Sequence, residues 1–258
     1  MPENCPSGKA EIEQRLTNVV ERVRAAERQY GREPGSVAIL AVSKTHSASE
    51  IAAVAALGVG GIGRAFGESY VQEAQEKITR LADLGLQWHF IGPLQSNKTP
   101  LVARLFQWVH SVDRAKIAQR LNDQRPDELP PLEVCLQVNV SGEASKSGVT
   151  LEELPALAEC VASLPRLRLR GLMAIPAATR DVSQQRAAFA AVREAFNSLK
   201  KPLDTMGLNL PTTSSPRWDT LSMGMSGDLE AAIAEGSTIV RVGTAIFGPR
   251  LPSARSLA

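Results

Sequence analysis

The sequence predicts a single-domain (β/α)8 TIM barrel, and three observations lead to this fold class. Helical and strand-like hydrophobic patterns alternate along the whole chain, and eight segments are strand-like. The length of 258 residues suits one barrel, which needs about 250. The first strand, 37–43, is almost entirely apolar, as expected for a parallel strand that is covered on both faces. A doubly wound open sheet is the alternative, because periodicity does not show whether a sheet closes.

The chain opens with an extra helix and then keeps a regular order of strands and helices. Apolar residues repeat at helical spacing over 9–30, which predicts an amphipathic N-terminal helix that ends at Gly31. Glycines weaken the assignment of the second strand. The predicted strands are 37–43, 60–66, 87–91, 107–110, 133–140, 167–174, 218–223 and 237–242. The later predicted helices are 48–57, 68–84, 97–106, 114–122, 151–163, 183–200 and 228–235.

One segment interrupts this order. Residues 201–217 contain Pro202, Pro211 and Pro216 without any periodicity, which predicts an exposed loop inserted into the barrel. Residues 251–258 are expected to form a tail. Because neither segment is typical of a domain boundary, residues 1–258 are predicted to form one domain.

The composition excludes several classes of protein. The net charge is +2 and no basic stripe with aromatic residues is present, so nucleic acid is not an expected partner. No run of eighteen apolar residues and no signal peptide core occur, which predicts a cytoplasmic protein without a membrane span. The three cysteines lack CxxC spacing and fit reduced thiols. The three histidines lack metal-ligand spacing, so no metal is expected.

A lysine stands at the end of the first predicted strand. In barrels and doubly wound sheets the reactive groups lie at the carboxyl ends of the strands, which is where Lys44 is found. A partly desolvated amine at this place is a candidate Schiff-base nucleophile. The alternative is a lysine that extends its ammonium group into solvent.

The loops after the last two strands form a candidate anion site. Ser226 and Gly227 precede the last predicted helix, and Gly243 and Thr244 follow the final strand. Backbone N–H groups at helix starts and in glycine turns bind anions, and barrels often hold phosphate in these two loops. A plain helix cap and a tight turn are the alternative. In a closed barrel Lys44 would be adjacent, so pyridoxal 5′-phosphate (PLP), a phosphorylated aldehyde, fits both groups.

The last predicted strand carries an arginine. Because side chains alternate along a strand, Arg241 shares a face with Ile239 and Gly243. If that face is inward, the guanidinium group points into the pocket, and beside a pyridine nitrogen it would keep the ring unprotonated and carbanion chemistry weak. An outward, solvated Arg241 is the alternative, since the register is not verified.

Further polar residues follow other predicted strands and complete the set of candidate binding residues. Loops are polar in most proteins, so each residue is weak evidence by itself. These candidates are Ser69, Asn97 and Ser222. Lys146 lies in a loop rich in serine and glycine and is a secondary candidate for the aldehyde. The alternative there is a solvated loop lysine.

Seven ordered motifs extend from the first strand to Gly248. They are AVSKT at 41–45, FGESYVQE at 66–73, WHFIGPLQSNK at 88–98, SKSG at 145–148, GLMAIP at 171–176, LSMGMS at 221–226 and VRVGTAIFG at 240–248. Together they closely resemble the pyridoxal phosphate homeostasis proteins, the YggS/PROSC family. The chain departs from that family at Ser69, where asparagine is usual, and at His46-Ser47, where the family usually has a second lysine and a proline.

The resemblance implies a barrel like the N-terminal domain of alanine racemase, with PLP bound to Lys44 as an aldimine. It also implies phosphate contacts from Ser226, Gly243 and Thr244, and Arg241 near the pyridine nitrogen. Members of the family bind the cofactor and have no established catalytic activity. The predicted function is therefore intracellular PLP homeostasis or carriage, with PLP-dependent apoenzymes as expected partners.

The alternative function is that of a PLP-dependent amino-acid racemase or decarboxylase. Racemases of this type pair the lysine with a tyrosine from a second, β-rich domain, which is not expected here because the chain ends soon after the eighth predicted strand. The tyrosines of this chain are Tyr30 and Tyr70, and Tyr70 is expected to pack at a helix start. A Schiff-base aldolase without cofactor is a third option. Few exposed apolar clusters are evident, which predicts a monomer.

Overall fold

Eight parallel strands close into a barrel in the computed structural model, which describes residues 6–143, 147–205 and 218–249. The strands follow the order of the chain around the barrel, and the eighth pairs with the first. The open-sheet alternative is therefore wrong. The strands are β1 (Ala38–Val42), β2 (Ala65–Glu68), β3 (Gln87–Phe90), β4 (Trp108–Val112), β5 (Leu132–Val138), β6 (Leu167–Ala174), β7 (Thr220–Ser222) and β8 (Ile239–Val242).

Each strand is followed by a helix, and one further helix precedes the first strand. The helices are α1 (Pro6–Gln29), α2 (Ala48–Leu57), α3 (Val71–Arg80), α4 (Thr99–Leu105), α5 (Ala115–Gln124), α6 (Leu154–Ala162), α7 (Val182–Thr205), α8 (Leu229–Ala234) and α9 (Thr244–Phe247). Two 3₁₀ turns cover Val59–Gly61 and Ala82–Leu84. None of the described helices is both long enough and apolar enough to cross a membrane.

The apolar stripe of α1 is buried, as its spacing predicts. Four side chains at helical spacing are at most 2% exposed: Leu16, Val19, Val23 and Ala26. The helix packs against α8 and α9. A guanidinium N–H of Arg22 also donates to the carbonyl oxygen of Ser226 at 3.2 Å. Hydrophobic burial thus fixes α1 beside the loops that follow β7 and β8.

Local capping sets both ends of α2, the helix that follows β1. The side chain of Ser47 accepts a hydrogen bond from the N–H of Glu50, and the carboxylate of Glu50 accepts one from the N–H of Ser47. Gly58 ends the helix in the left-handed conformation, with φ of 58°. Since both signals are local in the sequence, the predicted bounds of 48–57 are confirmed.

Several early boundaries differ from the prediction; for example, the helix predicted over 68–84 is α3 (Val71–Arg80) followed by a 3₁₀ turn. The second strand is Ala65–Glu68, whereas 60–66 was expected. Gly60 and Gly61 have positive φ and belong to a 3₁₀ turn, so they do not continue a strand. The opening helix was predicted over 9–30, but it begins three residues earlier and ends one residue sooner.

The predicted loop over 201–217 is partly wrong. Helix α7 continues through Pro202 to Thr205, so the first five residues of the expected loop are helical. Residues 206–217 and the predicted tail over 251–258 lie outside the described residues.

Candidate functional site

A cavity of about 280 Å³ opens at the carboxyl ends of the strands. It is called the Lys44 cavity below. Six residues predicted from the sequence line it: Lys44, Ser69, Ser226, Arg241, Gly243 and Thr244. Its volume is close to the lower limit of about 300 Å³ for small-molecule sites. The cavity therefore brings the predicted amine and both predicted anion-binding turns into one space.

Lys44 stands in a tight turn directly after β1. The N–H of His46 donates to the carbonyl oxygen of Ser43 at 3.0 Å, which closes the turn. Thr45 has φ of 69°, a left-handed conformation that costs a residue of this kind about 1–3 kcal/mol. Lys44 itself is half-buried. A strained turn thus places the lysine in the cavity wall.

The two predicted anion-binding turns lie at the starts of α8 and α9. The first N–H groups of a helix have no partner within the helix, so they can bind an anion. A Cβ built on Gly227 would meet no atom within 4 Å, so open space reaches that backbone. A Cβ on Gly243 would lie 3.2 Å from the carbonyl oxygen of Val42. The close approach of β8 to β1 at this turn therefore favours a residue without a side chain.

Arg241 points into the barrel and is 4% exposed, so the outward alternative is wrong. Its guanidinium N–H groups donate to the carbonyl oxygen of Ser222 at 2.5 Å, to the hydroxyl of Ser222 at 2.8 Å and to the carbonyl oxygen of Ala174 at 2.9 Å. Burial lowers the pKa of Arg241 to about 10. The guanidinium group nevertheless remains charged at neutral pH, and three hydrogen bonds fix its direction.

A chain of hydrogen bonds, here called the histidine relay, runs from Ser222 through His110 and His89 to Gln87. Because Arg241 donates to the hydroxyl of Ser222, the serine proton is left for Nδ1 of His110, 2.8 Å away. His110 then donates through Nε2 to Nδ1 of His89 at 2.9 Å. His89 donates through its own Nε2 to Gln87 at 3.1 Å. This assignment, made from the network, leaves both histidines neutral with the proton on Nε2.

Burial also favours the neutral form of both histidines. It lowers the pKa of His89 from 6.5 to about 3. The pKa of His110 is lowered well below 6.5, mainly by burial and further by His89 and the charge of Arg241. The relay therefore orients Ser222 towards the guanidinium group without adding a second charge to the barrel interior.

Two predicted binding residues that the structure describes, Asn97 and Ser222, do not line the Lys44 cavity. Asn97 is exposed in the loop before α4 and is absent from the cavity wall. Ser222 is fully buried and contacts the guanidinium group of Arg241, so it supports the site from behind. Lys146 lies outside the described residues.

The structure adds cavity residues that sequence reasoning did not select. The ring of His46 lines the cavity and stacks on Phe247, with 4.6 Å between ring centroids. Ile175 and Met225, 39% and 37% exposed, give the wall an apolar part. Their only sequence signal was a position shortly after a strand. Within the described part of the chain, no group of three or more His, Cys, Asp or Glu side chains could hold a metal ion.

The fold and the site define a class of protein, the barrels of the alanine racemase N-terminal domain type. Residues 15–251 match the family model for the N-terminal domain of alanine racemase. The solved alanine racemase of Corynebacterium glutamicum is 17% identical, with a TM-score of 0.61, and the match covers 92% of this chain and 63% of that chain. At this identity the likeness shows the fold alone.

More similar relatives narrow the class to one family. The pyridoxal phosphate homeostasis protein of Pseudomonas aeruginosa is 57% identical over 239 residues, which cover 93% of this chain and 96% of the relative. That of Escherichia coli is 52% identical over 243 residues, covering 93% and 97%. The chain belongs to the family of pyridoxal phosphate homeostasis proteins. PipY of Synechococcus elongatus PCC7942, solved with PLP bound, is 35% identical, with a TM-score of 0.75, and the match covers 92% of this chain and 100% of PipY.

Proposed function

We propose that this protein binds PLP in the Lys44 cavity and acts in the homeostasis or carriage of that cofactor. One observation carries the proposal: Lys44 and both anion-binding turns line a single cavity. A phosphorylated aldehyde can engage an amine and an anion site together only where the two are adjacent. The names of the relatives and the PipY structure with PLP support the identity of the ligand.

Each group has a separate role in this proposal. Ser226, Gly243 and Thr244 hold the phosphate through hydroxyl and backbone N–H donors. Arg241 would lie beside the pyridine nitrogen and, because a guanidinium group only donates hydrogen bonds and keeps its proton, it would leave that nitrogen unprotonated. Bound PLP supplies an aldehyde carbon that captures a primary amine reversibly. Lys44 provides this amine.

We favour a carrier over a racemase or decarboxylase. An unprotonated pyridine nitrogen withdraws electrons less well, which weakens the carbanion chemistry that those enzymes need. Neither tyrosine of the chain is in the cavity wall. Tyr70 is 55% exposed, and the ring of Tyr30 lies 5.8 Å from the guanidinium group of Arg186. The naming of the relatives as homeostasis proteins agrees with this choice.

Chemical fixation of the cofactor tests the proposal. Wild-type protein mixed with PLP should develop a visible absorption band, and borohydride should attach the cofactor permanently to the peptide that contains Lys44. Lys44→Ala should abolish the band and the attachment. Lys116→Ala, at an exposed lysine on α5, is the matched control and should leave both unchanged. The same amount of label in Lys44→Ala as in wild type would contradict the proposal.

Two assays separate the carrier from an enzyme. The loaded protein is incubated with alanine to follow racemisation, and with a panel of amino acids to follow CO₂ release. We expect neither activity above the level of free PLP. Turnover that disappears in Lys44→Ala would instead favour the enzyme.

The same proposal includes a monomer in the cytoplasm that delivers PLP to apoenzymes. A PLP-dependent apoenzyme mixed with the loaded protein should regain activity even when a phosphatase destroys free PLP. Recovery that the phosphatase abolishes would contradict direct delivery. Sedimentation measures the oligomeric state, and cell fractionation the location.

A further inference from the structure

A buried ionic cluster lies next to the turn that carries the cavity lysine. It consists of Glu68 at the end of β2 and of Glu73 and Lys77 on α3, and is called the Lys77 clamp below. The side chains of Lys77, Glu68 and Glu73 are 6%, 0% and 31% exposed. The Nζ atom of Lys77 lies 2.7 Å from Oε1 of Glu68 and 2.5 Å from Oε1 of Glu73. The clamp therefore places one cation between two carboxylates.

The clamp holds the backbone on both sides of the cavity lysine. On one side, Lys77 Nζ donates to the carbonyl oxygen of Ser43 at 2.8 Å, and the hydroxyl of Ser43 donates to Glu68 at 2.6 Å. On the other side, the N–H of Thr45 donates to the carboxylate of Glu73 at 2.5 Å. Thr45 has the positive φ of the turn, so Glu73 holds the strained residue.

We propose that the Lys77 clamp positions Lys44 and sets the reactivity of its amine, an inference that rests on the proposed function of this lysine. Stability alone is a weak explanation, since apolar residues often replace a buried ion pair without loss. Oε2 of Glu68 is buried and has no hydrogen-bond partner among the described residues. Burial raises the pKa of Glu68 and Lys77 opposes this rise, so the carboxylate depends on that cation.

Substitutions of Lys77 and of Glu73 should change the protonation of Lys44 in opposite directions. Lys77→Met removes the cation, and Glu68, which is buried, then takes up a proton. Glu73 keeps its charge beside the turn without the cation that balanced it, which favours the ammonium form of Lys44. Glu73→Gln removes a negative charge and nearly keeps the shape of the side chain, which favours the neutral amine of Lys44. A purely structural role would change the reactivity in the same direction in both variants. The other charged or titratable groups around the turn and the cavity stay unchanged: His46, Glu50, Asp228 and Arg241.

Amine labelling of the protein freed of cofactor measures this effect. Acetic anhydride is applied over a range of pH, and mass spectrometry gives the pH at which Lys44 is half reactive, with exposed Lys116 as the internal standard. This pH should rise by about one unit in Lys77→Met, which means about tenfold less labelling at a given lower pH. It should fall in Glu73→Gln.

Arg170→Met is the matched control. Arg170 also lies between two carboxylates, 3.1 Å from Glu133 and 2.6 Å from Asp219, but none of the three lines the Lys44 cavity. This variant should leave the half-reaction pH of Lys44 unchanged.

Two results would overturn the proposal: an unchanged half-reaction pH in folded Lys77→Met, or a shift of the same sign in both clamp variants. If Lys77→Met does not fold, Glu73→Gln decides alone, because its side chain is partly exposed and glutamine keeps its shape. An unchanged half-reaction pH there would then refute the clamp. Absence of PLP binding to wild-type protein would refute the proposed function and would leave the labelling result standing, so the two failures are distinguishable.

Discussion

Ser222 is a residue whose importance depends on its two partners. Its hydroxyl accepts from the guanidinium group of Arg241 and donates to His110, while its carbonyl oxygen accepts from Arg241 as well. A buried cation needs oxygen partners, and here carbonyl and hydroxyl groups supply them in the described contacts. The direction of Arg241, which lines the cavity, therefore depends in part on one serine side chain.

Ser222→Ala should lower the free energy of unfolding by about 1–3 kcal/mol, because Nδ1 of His110 and one N–H of Arg241 lose their buried partner. The same change should weaken PLP binding, since the guanidinium group is less firmly directed. Urea unfolding and a PLP titration followed by visible absorption measure the two effects. Ser198→Ala, at an exposed serine on α7, is the control. Equal stability of both variants would contradict the role given to Ser222.

Single residues of the site differ in how far the sequence predicts them. Lys44 follows an apolar strand. The side chain of Arg241 can point only into or out of the barrel, because side chains alternate along a strand. Both residues could therefore be selected from local patterns. The contact of Ser222 with His110 joins residues 112 positions apart, and that of Lys77 with Ser43 joins residues 34 apart. Hydrophobic periodicity does not predict such contacts between distant residues, because they form only when the barrel closes.

At the scale of secondary structure, the pairing of β6 with β7 depends on a glycine. Gly171 pairs with Thr220 and has φ of 156°. A Cβ on Gly171 would lie only 1.8 Å from the carbonyl oxygen of Thr220. The backbones of the two strands could not approach this closely with any side chain at that position.

Gly171→Ala should therefore destabilise the barrel strongly, by about 3 kcal/mol or more, because the clash is with backbone that cannot move without breaking the pairing. Urea unfolding followed by circular dichroism measures the loss. Gly227→Ala is the matched control for stability, since its added methyl group would meet nothing within 4 Å. Equal midpoints for the two variants would show that β6 and β7 can separate at little cost.

The order of elements was predictable, while several of their ends were not. Alternating patterns predicted all eight strands, because each depends on a short local run of apolar residues. The end of α2 was predicted because Gly58 is a local signal, whereas the continuation of α7 past Pro202 was not. Proline is expected to end a helix, but tertiary packing can override that preference. Hydrophobic patterns do not show whether a sheet closes, so closure of the barrel could be seen only in the structure.

At the scale of the whole molecule, two neutral histidines inside the barrel make its stability depend on pH. In the unfolded chain His89 binds a proton near its ordinary pKa of 6.5, but in the folded protein only near 3. Above 6.5 the group is neutral in both states and adds no pH dependence. Below 6.5 the unfolded chain binds more protons, so the free energy of unfolding falls as pH falls, until about 3. His110 acts in the same direction.

The free energy of unfolding should therefore decrease between pH 6.5 and 3 by about 1.4 kcal/mol per pH unit because of His89. His110 makes the decrease steeper below pH 6.5. Urea unfolding at pH 7, 6 and 5 measures the slope. His89→Gln removes one titrating group, so its slope should be smaller than that of wild type, and His89→Gln/His110→Gln should reduce it further. The comparison uses slopes because both variants also lose packing and hydrogen bonds at every pH. Equal slopes in wild type and the double variant would mean that the histidines take up protons inside the folded barrel, which the directed relay to Arg241 does not allow.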